Sequence, residues 1–186
     1  MIGVLICTFF ISYRFFLKSP SERLKNIAQK TILAIQNKDF DTLSKLVHPD
    51  KGVRFSPYTY VEIEKDIVFT IDQIKNFFQD TQKYVWGEYD GSGEPMEFTP
   101  SEYYKRFIYD QDFAKAKEIE INKVIGQGNT TNTISKVYPE ASFVEYHFPG
   151  FDPKYSGMDW RSLRLVFEQK NGQWFLIGIV HDEWTI

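Results

Sequence analysis

The residues best placed for chemistry lie at the far end of one predicted β-hairpin. Trp160 to Lys170 and Gln173 to His181 read as two strands joined by Asn171-Gly172, the dipeptide most diagnostic of a tight hairpin turn. A two-residue turn pairs Lys170 with Gln173, Phe167 with Leu176, Leu165 with Gly178 and Leu163 with Val180. That face is apolar. The other face pairs Val166 with Ile177, Arg164 with Ile179, Ser162 with His181 and Trp160 with Glu183. This register gathers Ser162, Arg164, His181 and Glu183 at the open end as a candidate ligand site. Arg164 offers a planar fork of donors suited to a carboxylate or phosphate. His181 can donate or accept near neutral pH. Glu183 can orient either of them. An apolar wall with a polar end suits a pocket. The competing reading is a half-exposed sheet end with solvated side chains.

Other candidates are weaker. Glu145 and His147 alternate on one strand face, a spacing compatible with acid–base work and equally with a buried histidine satisfied by one partner. His48 precedes Pro49 at a helix end and reads as a partner for the helix dipole. The three histidines lack a ligand spacing for zinc, so no metal is expected. Asp90-Gly91-Ser92-Gly93-Glu94 lacks the twelve-residue ligand pattern of a calcium loop and reads as a turn. Gly126-Gln127-Gly128-Asn129 lacks the third glycine and the following helix of a dinucleotide fingerprint. No cofactor is expected. Cys7 is the single cysteine and has no nucleophile context.

The elements that must position these residues can be read from caps and periodicity. Ser19-Pro20-Ser21-Glu22 is a capping box with proline at the first helical position. Leu24, Ile27, Ala28, Ile32 and Ile35 follow at helical spacing. Asp39 or Asp41 can cap a second short helix that ends before His48-Pro49. Gly52 to Pro57 reads as a short strand or extended edge, and Val61 to Phe69 as another strand. Thr70-Ile71-Asp72-Gln73 and Thr99-Pro100-Ser101-Glu102 are further capping boxes. The second opens a helix carrying Tyr103, Tyr104, Phe107 and Ile108. Lys83 to Tyr89, Ile119 to Ile125 and Phe143 to Phe148 read as extended. Helices lead and strands dominate the second half. The fold class is therefore α+β, with N-terminal helices packed on a curved antiparallel sheet ending in the long C-terminal hairpin.

Composition narrows the function classes. The chain has 186 residues, 42% of them apolar and 17% aromatic, enough for one domain with an aromatic-rich core. Net charge is −3 with both signs interspersed, which argues against nucleic acid as a partner. Ile2 to Tyr13 is uncharged and is followed by Arg14 and Lys18. About a dozen residues is short of the roughly 17–25 of a transmembrane helix, but suffices for the apolar part of an export signal. We expect residues 1–18 to be an apolar signal or anchor segment and residues 19–186 a single α+β domain. A buried first element of the domain is the alternative.

Longer strings carry a resemblance. They are His48-Pro49 with Gly52 to Tyr58, Trp86-Gly87 with Asp90 to Gly93, Tyr103 to Phe107, Phe148 to Tyr155 with Gly157 to Leu163, and His181 to Ile186. Together they resemble an uncharacterised domain of exported proteins and lipoproteins of Gram-positive bacteria. The order of elements is also similar to the cone-shaped nuclear transport factor and cystatin-like fold. The resemblance implies an extracytoplasmic, membrane-tethered domain and brings no activity or catalytic residue, since the fold hosts binders and enzymes alike.

The expected function is a non-catalytic binding or interaction module tethered to the membrane through its N-terminal segment. A small anionic ligand or a protein is the expected partner. The alternatives are a small pocket enzyme using His181 or His147 as acid–base, and a purely structural accessory domain.

Overall fold

Three capping boxes set the helical layer. The structure, a computed structural model, describes residues 19–185; the expected signal or anchor segment falls outside them. Ser19 accepts the Glu22 amide while the Glu22 carboxylate takes the Ser19 amide, opening α1 (Pro20–Gln36). Each box satisfies two amides that a helix start leaves orphaned. Asp39, not Asp41, caps α2 (Phe40–Ser44). The Thr70 box opens α3 (Ile71–Lys75), and the Thr99 box opens α4 (Pro100–Tyr103). The expected helix beyond Tyr103 continues as a π-helix over Tyr104–Ile108. A short α5 (Ile134–Val137) was not anticipated.

The strands are β1 (Val53–Ser56), β2 (Val68–Phe69), β3 (Tyr84–Glu88), β4 (Pro95–Phe98), β5 (Glu118–Ile121), β6 (Ser142–Phe148), β7 (Arg161–Lys170) and β8 (Gln173–Glu183). Six form a sheet ordered β2-β1-β8-β7-β6-β5, while β3 and β4 form a separate hairpin. Two expectations need correction. The sheet is mixed, because β1 runs parallel to β8 and lies inside the sheet instead of at its edge. Only Val68–Phe69 of the segment from Val61 to Phe69 is strand; the rest is a loop that turns around Asp66.

One face of the sheet packs on the helices. Leu163, Leu165, Phe167, Leu176 and Ile179 meet Leu24, Ile32, Ile35 and Leu43 there. Aromatic rings fill the remaining space. Phe55 lies within 6.1 Å, centroid to centroid, of Phe69, Phe77, Trp86 and Tyr103. Trp86 and Tyr103 stack at 3.9 Å. Interlocked rings of this kind bury large apolar areas and leave little void. A smaller apolar cluster of Val61, Ile134, Phe143, Val166, Ile177 and Val180 covers the opposite face.

The hairpin turn is as expected: Asn171 and Gly172 both have positive φ, 52° and 76°, the type I′ signature. The register is not. Lys170 pairs with Gln173 and Phe167 with Leu176, but a bulge follows, and beyond it Leu165 pairs with Ile179, Leu163 with His181, Ser162 with Asp182 and Arg161 with Glu183. An extra residue in β8 moves every later side chain to the other face.

Candidate functional site

The bulge divides the expected four-residue site. Ser162 and Arg164 stay on the face of Phe143, while His181 and Glu183 turn to the helix-packed face. Each pair finds different company there.

On the first face, β6 brings Glu145 and His147 beside Arg164 and Ser162. Arg164 and Glu145 are both fully buried. Arg164 Nε donates to Glu145 Oε2 at 2.8 Å, and Nη2 donates to Oε1 at 3.1 Å. Nη1 donates to Asp182 Oδ2 at 2.7 Å and to Thr59 Oγ1 at 3.1 Å. Nη2 also reaches the Gly126 carbonyl at 2.6 Å. Five donors meet five acceptors. Glu145 additionally accepts the amides of Ile125 and Gly126 and the Ser162 hydroxyl. Because Ser162 donates to Glu145, its oxygen accepts from His147 Nδ1 at 2.8 Å. Burial opposes the Arg164 charge, but Glu145 and Asp182 more than offset it and hold the guanidinium above its usual pKa. Burial pushes the Asp182 carboxyl up despite Arg164, and burial pushes His147 down. Gly126 is required by space: a Cβ there would stand 2.4 Å from Ser162 Oγ and 2.6 Å from the Trp160 ring. The network uses every donor of Arg164 and leaves none for an external anion, while Asp182 Oδ1 is buried without a hydrogen bond among the described residues.

On the second face, the π-helix and the turn after it supply Arg106 and Asp110. His181 Nδ1 lies 3.3 Å from the Pro57 carbonyl, which only accepts, so Nδ1 carries the hydrogen in that contact. Nε2 faces Asp110 Oδ1 at 3.4 Å, and neither atom has a hydrogen bond among the described residues. Arg161 Nε bridges Asp110 Oδ2 at 3.0 Å and Glu183 Oε2 at 3.1 Å. Arg106 holds the other Glu183 oxygen. Burial resists the Asp110 charge, but His181, Arg161 and Arg106 hold the carboxyl below its ordinary value. The Phe107 ring closes on His181 edge-on at 5.5 Å. Asp110, His181 and Glu183 bring ligand-type atoms within 4.8 Å of one another. Two guanidiniums already neutralise the two carboxylates, so the donor set does not favour a metal cation.

The remaining histidine is a turn device. His48 is buried, and its Nδ1 accepts the amides of Asp50 and Lys51 instead of serving the helix dipole. Asp90 Oδ1 accepts the Gly91 amide within its turn, and Oδ2 accepts the hydroxyls of the distant Thr130 and Thr185. Sequence reasoning missed Asp182, Arg106 and Arg161. One signal was present: Gly178 within a strand pattern marks a bulge, and the bulge is what brings Asp182 to Arg164.

No protein-family model and no curated protein sequence matches the chain. Solved structures overlap it more distantly. An NTF-2 like protein of unknown function from Shewanella oneidensis is 10% identical, over 88% of this chain and 99% of that one, with a TM-score of 0.38. An uncharacterised protein with a cystatin-like fold from Caulobacter vibrioides is 9% identical over 88% of each chain, TM-score 0.37. The association domain of C. elegans CaMKII is 15% identical over 87% of this chain and 94% of that one, TM-score 0.36.

Proposed function

We propose that this chain is a non-catalytic binding module that meets its ligand at the surface. One observation carries the reading: the space between helices and sheet is filled by interlocked aromatic rings, and Glu183 at its end is held by Arg106 and Arg161. Catalysis by His181 would need the ring to reach a substrate, and His181 is 0% exposed. His147 is committed to Ser162 inside a buried network.

The membrane-tethered, extracytoplasmic part of the proposal rests on the uncharged run from Ile2 to Tyr13, read as the apolar part of an export signal. By the positive-inside rule, Arg14 and Lys18 after it would hold the domain on the cytoplasmic side, which is the alternative. No helix among the described residues is long and apolar enough to cross a membrane, so a tether falls to that segment.

A thermal-shift screen of the full-length chain against amines, anionic metabolites and cell-wall fragments tests binding, with each hit recovered and checked for chemical change. Saturable binding of compounds recovered unchanged is the expected result. Turnover of a hit overturns the non-catalytic reading, and no shift with any compound favours the structural-accessory reading. Fractionation of cells expressing the chain with and without residues 1–18 tests the tether. Only the longer form should sediment with membranes.

A further inference from the structure

Resting on the tethered reading and deepening it, we propose that the end of the domain at the Asn171-Gly172 turn, with the exposed side of α1, docks on an anionic lipid surface. Net charge divides unevenly along the chain. Residues 1–47 hold seven Lys and Arg against three Asp and Glu, net +4, while residues 48–186 hold 15 against 22, net −7. Such an asymmetry marks chains that meet a charged surface.

The fold turns this division into two ends. Arg23 in the first turn of α1 and Lys45 after α2 come together beside Gly172, Trp174 and Phe175, where β8 begins. Asp90 accepts the Thr185 hydroxyl just past the other end of β8. Glu62, Asp66 and Glu88 line the same groove as Asp90. The strand between the two ends has 11 residues, a span of roughly 35 Å. Anionic headgroups attract the basic end and repel the acidic one, so the charge sets an orientation as well as an affinity.

The cations of the basic end are uncommitted. Arg23, Lys25, Lys30 and Lys45 are exposed and make no ion pair or hydrogen bond among the described residues. Lys51, Lys115, Lys123 and Lys170, by contrast, each hold a carboxylate. Arg23 and Lys30 are seven residues apart, so they share one side of α1. The one carboxylate of α1, Glu22, takes the Ser19 amide. Lys51–Glu168 and Lys170–Asp50 near the turn are neutral pairs and leave the positive excess in place.

The chain before Ser19 identifies the surface. Residues 1–18 join the domain four positions before Arg23 and carry Arg14 and Lys18 close to the junction. With the apolar run anchored in a bilayer, the first turn of α1 is held within a few residues' reach of the headgroups. Each Lys or Arg brought to an anionic surface strengthens binding about fivefold. Trp174 lines the cleft between Arg23 and Lys45, and its buried N–H makes no hydrogen bond among the described residues. An indole of this kind, apolar in body and polar at one atom, suits the headgroup boundary.

Flotation of the full-length chain with phosphatidylcholine vesicles, with and without phosphatidylglycerol, tests the proposal. The expected result is tighter binding to the phosphatidylglycerol vesicles, a preference lost at high salt. Arg23→Gln, Lys30→Gln and Lys45→Gln combined should weaken the anionic binding by roughly tenfold or more, with the melting temperature unchanged. Lys117→Gln, Lys136→Gln and Lys154→Gln combined remove as much charge from exposed positions elsewhere, and should leave it as in wild type. Equal binding to both vesicle types at low salt overturns the proposal and leaves the tether standing. Anionic binding that survives the first triple variant, or falls equally with the second, also overturns it. Salt-resistant binding to both vesicle types reports the apolar segment, so its absence overturns the tether alone.

Discussion

Arg164 and Glu145 form a two-pronged ion pair with no solvent exposure on either side, Nε to Oε2 at 2.8 Å and Nη2 to Oε1 at 3.1 Å. The pair is the centre of a chain running from His147 through Ser162 and Glu145 to Arg164 and Asp182. Removing one partner strands the others in a dry interior. Arg164→Ala should cost about 3–5 kcal/mol in denaturant melts, the range for a broken buried pair. A double-mutant cycle with Glu145→Gln should show strong coupling. An additive cycle would place the two side chains in water.

The bulge makes a prediction about register. Cross-strand nuclear Overhauser contacts should join Leu163 to His181 and Ser162 to Asp182. Contacts between the side chains of Ser162 and His181 would restore the uninterrupted register and reunite the four-residue site.

Gly172 sits in the left-handed region at φ 76°, with open space around the position of a Cβ. Strain alone therefore decides the effect of a substitution. Gly172→Val should lose about 1–3 kcal/mol. A melt unchanged from wild type would mean another turn type.

Leu165 and Leu176 are fully buried against the helices. Each changed to Ala should lose about 2–5 kcal/mol by urea titration. Losses typical of surface positions would turn this face outward.

Asp66 supplies a pH dependence. Burial pushes its carboxyl from 3.8 up to about 6, with Ser56 and the Glu62 amide partly offsetting it. The folded state therefore holds the proton more tightly than the unfolded chain. The resulting stabilisation is complete below 3.8 and is lost as pH rises through about 6. Asp66→Asn bears no charge at any pH. In urea melts the variant should gain on wild type between pH 4 and pH 8 by up to about 3 kcal/mol. Parallel profiles would place the carboxyl in solvent.

Much of this molecule was decided locally. The capping boxes at Ser19, Thr70 and Thr99 are four-residue devices in which side chains satisfy nearby amides. The Asn171-Gly172 turn likewise needs only two residues able to adopt positive φ. Helix starts, the hairpin, and hence the α+β class, were accordingly legible from the chain itself. The site was not. One bulged residue in β8 is a two-strand property, signalled along the strand by Gly178 alone, yet it sends His181 and Glu183 to the face opposite Ser162 and Arg164. Arg106 and Asp110 reach Glu183 and His181 across more than seventy positions of sequence. The parallel pairing of β1 with β8 has no local signature either. Such contacts follow from how the layers pack, because buried charges settle wherever tertiary structure offers them a partner.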